Sequence, residues 1–251
     1  DPAAVEKIDA LCQGIVDDGF APGAVLLIGR GDRILMKKTY GNRFTDRGTE
    51  PMTFDTLFDL ASVTKATCTA SAVMLLVQDG KIDLAAPVTR YVPEFRGKDK
   101  DGITILQLLT HISGLPAYTS RAKLEEEFGP APNPDGLIQG IANLKLQSEP
   151  GTKYTYSCLN YLTLARVAQN VSGMNMDAFL HQRMWGPLGM KDATFYPTPE
   201  QIARTAPTIN DGKVFLRGMV HDPLANYGIS PSYASGNAGG YMTVDDMSRY
   251  C

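Results

Sequence analysis

The feature that most constrains the fold is an apolar run from residue 63 to residue 77. Its apolar residues recur at alternating spacings of three and four, which is the period of an α-helix. These residues are Val63, Ala66, Ala70, Val73 and Val77, and Met74, Leu75 and Leu76 lie beside them. A helix that is apolar on most of its sides must be covered by other elements, so we expect it to be central and buried. Gly80 predicts its C-terminal end.

Two polar residues, Ser62 and Lys65, stand at the head of this run. The spacing places a weak nucleophile and a candidate base on one face of the first helical turn, as acyl transfer requires. Unpaired amides at a helix N-terminus also favour developing negative charge. Ser120 and Lys123 repeat the spacing, but they precede three glutamates, which predicts solvent-exposed surface. On spacing alone, a helix cap with a surface cation explains the first pair at least as well.

Composition excludes several classes of protein. The 251 residues can bury a core for one large domain or two interleaved ones. The net charge of −3 gives no basic excess, so we expect no nucleic-acid partner. No apolar run is long enough for a membrane span. The four cysteines form no Cys-x-x-Cys pair and the three histidines are not clustered, so we expect no metal, no cofactor and no disulfide framework.

The order of the predicted elements indicates an α/β (α+β) fold. Hydrophobic periodicity predicts helices over 3–18, 105–111, 137–146, 159–171 and 176–184, and strands over 23–29, 33–40 and 213–217. Strands, a helical middle and a return to strands suggest a sheet layer interrupted by a helical insertion. We therefore divide the chain into 1–55 (helix and hairpin of the α/β domain), 56–200 (mostly helical) and 201–251 (return toward the α/β domain).

A candidate partner for the first pair is Tyr156, which directly precedes the predicted helix 159–171. A free lysine, with a pKa of about 10.4, is protonated at neutral pH. Lys65 can act as a base only if burial or neighbouring cations lower its affinity for the proton. A tyrosine in the same environment could share the proton transfer.

Five segments, in this order, resemble the serine β-lactamase and penicillin-binding superfamily, in its class C-like branch: 58–65, 108–116, 156–158, 186–195 and 236–240. That branch includes class C β-lactamases, D-alanyl-D-alanine carboxypeptidases, D-aminopeptidases and esterases. The resemblance implies a β-lactamase-like fold, in which an antiparallel sheet flanked by helices accompanies a mostly helical domain. It also implies a bacterial protein that is periplasmic or secreted.

The resemblance assigns roles to the candidate residues. It implies that Ser62 is the nucleophile, Lys65 the neighbouring proton acceptor and Tyr156 the general base or its partner. The expected activity is a serine hydrolase that forms an acyl-enzyme with an ester, a β-lactam or a D-amino-acid amide. The substrate would be a small molecule or a peptide. The alternative is a non-catalytic relative that binds peptidoglycan or peptide ligands.

The chain departs from the family pattern in two places. Cys158 stands where the family has an asparagine, and a thiol donates and accepts hydrogen bonds only weakly. Binding of a substrate amide is therefore in doubt, an ester is favoured, and Asn160 is the candidate substitute among substrate-binding residues. The family's Lys-Thr-Gly or His-x-Gly strand motif is also missing. We therefore expect that C-terminal strands of the sheet are missing and that a further segment or a complementing chain supplies them.

Overall fold

The computed structural model describes residues 2–45, 48–97, 99–210 and 214–251. The chain forms two compact units. The sheet unit comprises residues 1–59, 188–218 and 241–251, and the helical unit comprises residues 60–187 and 219–240.

The described elements combine short strands with many helices. The strands are β1 (Gly23–Arg30), β2 (Arg33–Phe44), β3 (Glu50–Pro51), β4 (Phe58–Asp59), β5 (Thr208–Asn210), β6 (Val214–Leu216) and β7 (Tyr241–Met242). The α-helices are α1 (Pro2–Asp17), α2 (Ser71–Gln78), α3 (Ile105–Leu109), α4 (Arg121–Phe128), α5 (Pro134–Asn143), α6 (Cys158–Ser172), α7 (Met176–Leu180), α8 (Gly186–Leu188), α9 (Pro199–Ala203), α10 (Pro223–Gly228) and α11 (Val244–Tyr250). Lys65–Ala70 and His181–Trp185 are π-helical, and Val88–Arg90 and Pro93–Phe95 are 3₁₀ turns.

In the sheet unit, the predicted hairpin is confirmed. Strands β1 and β2 pair antiparallel, with a bulge at Ile28/Gly29, and β3 pairs antiparallel with β2. Helix α1 packs on both long strands and α11 packs on β1. Two further antiparallel pairs, β4 with β7 and β5 with β6, belong to the same unit. The antiparallel sheet with flanking helices therefore agrees with the predicted fold class. Lys213, which begins the predicted last strand, lies outside the described residues.

In the helical unit, α6 has more buried residues than any other described helix, with ten. The apolar run 63–77 is covered on fewer sides than predicted, since Val63 is 50% and Met74 48% exposed. It also begins as a π-helix before α2. Helix α5 begins earlier than predicted, because Asn133 caps it and Pro134 occupies its first turn.

The unit boundaries differ from the predicted domain limits. The chain enters the helical unit at residue 60 rather than 56 and leaves it at 187 rather than 200. Residues 219–240, predicted to return toward the α/β domain, belong to the helical unit. The physical reason is that the segment 236–240 is hydrogen bonded to side chains of residues 64–69.

Within the described residues, no helix is both long enough and apolar enough to cross a bilayer.

Candidate active site

Ser62 lies in a tight turn that directly follows β4. The turn is built from hydrogen bonds between residues three apart, from the N–H groups of Val63, Thr64 and Lys65 to the carbonyls of residues 60–62. Ala61 adopts a left-handed φ of 44°. A residue with a β-carbon held in such a sparsely populated region costs roughly 1–3 kcal/mol. The strained turn leaves Ser62 exposed to solvent, while Lys65, three residues later, is buried.

The predicted pair comes together in the structure. Lys65 is only 4% exposed, and its Nζ lies 3.0 Å from the Oγ of Ser62. The same Nζ donates to the main-chain carbonyl of Asn237 at 2.8 Å. It also lies 5.0 Å from the centroid of the Tyr156 ring. The side chains of Ser62 and Tyr156 therefore both lie near the side-chain nitrogen of Lys65.

The ring of Tyr156 also lies against the ring of His111. The two ring centroids are 4.6 Å apart, and Tyr156 remains 45% exposed. The Nδ1 of His111 accepts a hydrogen bond from the Ser157 N–H at 3.0 Å. Burial, and secondarily the charge of Lys65, lowers the pKa of His111, which favours the neutral ring. Sequence reasoning missed the contact between His111 and Tyr156.

Asn160, predicted to bind substrate, faces the protein interior. It is fully buried, its Oδ1 accepts from the Ser113 hydroxyl at 2.6 Å, and its Nδ2 lies 3.2 Å from Nδ1 of His111. Two residues along an α-helix rotate a side chain by roughly 200°, so Asn160 points away from the direction of Cys158. Its amide cannot replace the family's asparagine, and we correct its role to support of His111.

Cys158 is the first residue of α6 and is partly exposed. Its N–H donates to the carbonyl of Ala117 at 2.9 Å, which fixes the start of the helix beside residues 116–118. The position therefore presents a small, weakly polar thiol directly after the Tyr156 segment.

The segment 236–240 completes this side of the site. It is hydrogen bonded to residues 60–69. The bonds run from Thr69 Oγ1 to Gly236 O (2.8 Å), from Lys65 Nζ to Asn237 O, from Gly240 N to Thr64 Oγ1 (3.1 Å) and from Leu60 N to Gly240 O (2.9 Å). Sequence reasoning missed Asn237, because a contact through a main-chain carbonyl is open to any residue type.

The second serine–lysine pair lies on the surface, as predicted. Ser120 caps α4, with its Oγ accepting from the Lys123 N–H at 3.5 Å, and both residues are exposed. Among the described residues, no group of histidine, cysteine, aspartate and glutamate side chains is placed to hold a metal ion.

Comparisons with known proteins bear on the family and the fold of the chain. The family model described as Beta-lactamase matches residues 8–251. An N-acetylmuramyl-L-alanine amidase of Bacillus subtilis is 31% identical over 97% of this chain and 61% of its own length. The chain thus spans about three fifths of that curated relative.

Solved structures share the fold. A class C beta-lactamase superimposes with a TM-score of 0.79 at 23% identity, covering 98% of this chain and 63% of the other. A beta-lactamase/D-alanine carboxypeptidase from Yersinia pestis gives a TM-score of 0.71 at 27% identity, covering 96% of this chain and 68% of the other.

Proposed function

The chain belongs to the Beta-lactamase family, and from that premise we propose that it is a serine hydrolase that forms an acyl-enzyme on Ser62. The observation that carries the proposal is the 3.0 Å contact between Ser62 Oγ and a buried lysine nitrogen. A nucleophile within hydrogen-bond reach of a base that a third group orients is the arrangement that activates serine. Here the third group is the carbonyl of Asn237.

The Asn237 carbonyl sets the direction of the lysine. A carbonyl oxygen can only accept, so it engages an N–H of Lys65. In its neutral form the amine then has its lone pair free for the proton of Ser62. As that proton moves to Nζ, Oγ bonds to the acyl carbon, and the bond to the leaving group breaks. Water later hydrolyses the resulting ester and restores the serine.

Tyr156 is suited to pass a proton to the leaving group. Its ring lies near both Lys65 and His111, while the side chain remains partly exposed. We therefore assign the proton transfer between lysine and leaving group to Tyr156, with His111 fixing its ring.

The Ser62 N–H is the proposed oxyanion donor. Within the described part of the chain this N–H makes no hydrogen bond, and it belongs to the exposed turn that carries Oγ. In a known hydrolase one such donor contributes roughly 2.7–4 kcal/mol to the transition state.

Cys158 bears on the choice of substrate. The thiol offers an amide substrate much weaker hydrogen bonds than the family's asparagine would. Among an ester, a β-lactam and a D-amino-acid amide, we therefore propose that esters react fastest. The predicted periplasmic or secreted location stays a prediction.

Covalent labelling tests the proposal. The protein is incubated with a fluorophosphonate or a β-lactam, and the intact mass is measured for wild type, S62A and S120A. We expect one adduct on wild type and on S120A, which lacks the surface serine, and none on S62A, which retains the surface pair. Equal labelling of S62A would overturn the assignment, and an unlabelled wild type would favour the non-catalytic ligand-binding alternative.

A further inference from the structure

Asn237 has contacts in two directions. Its main-chain carbonyl accepts from Lys65 Nζ at 2.8 Å, and its fully buried side chain donates from Nδ2 to Asp222 Oδ1 at 2.9 Å. Its Oδ1 is also buried and has no hydrogen-bond partner among the described residues. An unsatisfied buried amide oxygen destabilises a fold. Stability alone therefore does not explain an asparagine here, whereas the contact with Asp222 does.

Asp222 is itself fixed at both carboxylate oxygens. Oδ1 accepts from the Ala225 N–H at 2.8 Å as well as from Asn237, and Oδ2 accepts from the Tyr118 hydroxyl at 3.1 Å. Burial and the charge of Asp222 raise the pKa of Tyr118, which keeps its hydroxyl protonated as a donor. The Tyr118 oxygen in turn accepts from the Leu224 N–H at 3.2 Å. The carboxylate is thus a rigid anchor.

We propose that Asp222 is a positioning residue for acyl transfer, which holds Asn237 so that its carbonyl keeps Lys65 against Ser62. The inference rests on the proposed function of Ser62. The main chain on both sides of Asn237 is hydrogen bonded to residues 60–69 through Gly236 and Gly240. Among the described contacts of Asn237, the hydrogen bond to Asp222 is the one made by its side chain. It controls the rotation of the peptide that faces Lys65.

The simpler reading of Asp222 is a cap for α10, since its Oδ1 accepts from Ala225. Substitutions can separate the two roles. Serine and asparagine both cap helices well. A serine is too short to reach Asn237 and also cap, whereas the amide oxygen in D222N can accept from both donors. D222S therefore keeps the cap and removes the proposed anchor.

The experiment measures fluorophosphonate labelling of Ser62 at several probe concentrations. This separates the probe binding constant from the rate constant of phosphonylation, in which Oγ bonds to phosphorus and fluoride leaves. We expect D222S to lower this rate constant roughly ten- to hundredfold, as small misplacements of reacting groups do, with probe binding unchanged. D222N should retain most of the rate. Because Asp222 acts through Asn237, D222S/N237A should be no slower than D222S. Thermal melting of each variant confirms that it is folded.

Three results would overturn the inference. D222S could label Ser62 at the wild-type rate, or D222N and D222S could lose the labelling rate equally. The third is that the rate losses of the D222S and N237A single variants multiply in D222S/N237A. Failure of the proposed function looks different. In that case wild type itself carries no label on Ser62, and both proposals fall together.

Discussion

The two serine–lysine pairs of the helical unit have the same spacing and opposite environments. Ser62 Oγ contacts the side-chain nitrogen of Lys65, whereas Ser120 Oγ accepts from the main-chain N–H of Lys123. Lys65 is buried and bonded to the Asn237 carbonyl, whereas Lys123 is exposed. A serine that faces its own helix backbone is a cap, and one that faces a buried amine is a candidate nucleophile.

The difference teaches that spacing supplies only proximity. In both pairs, residues three apart lie on the same face of a turn. What separates them is a third group, distant in sequence, that draws the lysine inward. Removing Lys65 should therefore have a large effect that removing Lys123 does not have.

The largest effect is expected for Lys65→Ala. Without the amine, Ser62 has no base within hydrogen-bond reach, so acylation should fall roughly 10⁴-fold, the upper range for a general base. The time course of covalent labelling by a fluorophosphonate gives the rate at which Ser62 reacts. K123A is the matched control and should acylate as wild type does. Similar losses in K65A and K123A would show that the two pairs do not differ in the proposed way.

Next in size is Tyr156→Phe, which removes only the hydroxyl. We expect acylation to fall roughly 10²-fold, as when one proton-transfer group is lost. Y154F is the control, since Tyr154 is also exposed and its ring lies 6.0 Å from that of His111. Ester turnover measured for both variants checks the prediction. Unchanged turnover in Y156F would assign the proton transfer to Lys65 alone.

A smaller effect is expected for Gly236→Ala, which perturbs the third group. A β-carbon at Gly236 would lie 2.1 Å from the Tyr161 carbonyl oxygen, so the main chain next to Asn237 must shift. We expect the free energy of unfolding to fall by roughly 1–3 kcal/mol, as in overpacked cores. Urea unfolding measures it. G102A is the control, because a β-carbon there meets no atom within 4 Å. Equal stability of G236A and wild type would contradict the tight fit.

The smallest effect concerns pH. Burial lowers the pKa of His111 from its ordinary 6.5, so the unfolded chain binds this proton more readily than the folded one. The contribution of the neutral His111 ring to the free energy of unfolding is therefore fully present above pH 6.5. It is lost as the pH falls from there toward the pKa of His111 in the folded protein.

Unfolding in urea at pH 7.5 and at lower pH measures this dependence. We expect H111Q to lose stability less steeply with acid than wild type does. Identical pH profiles for H111Q and wild type would show that His111 does not titrate in this way.

Local features of the fold were predictable because their contacts are close in sequence. The capping boxes at Thr104 and Thr243, the β1–β2 hairpin and the cap by Ser120 all follow from neighbours a few residues away. The covering of the apolar run was overestimated, since periodicity marks an apolar side without showing whether another element covers it. The opposite directions of Cys158 and Asn160 were indicated by helical periodicity, but the partners of Asn160 were not.

The sequence by itself determined the family, the hairpin and the helices, and the candidacy of Ser62, Lys65 and Tyr156, because residue types and short spacings carry that information. Only the tertiary structure decided which serine–lysine pair meets at a buried amine. It brought the Asn237 carbonyl to Lys65, 172 positions away in the sequence. It also placed Asp222 against the side chain of Asn237, 15 positions later. A main-chain carbonyl leaves no mark on residue type, so this decision could be made only by the folded chain.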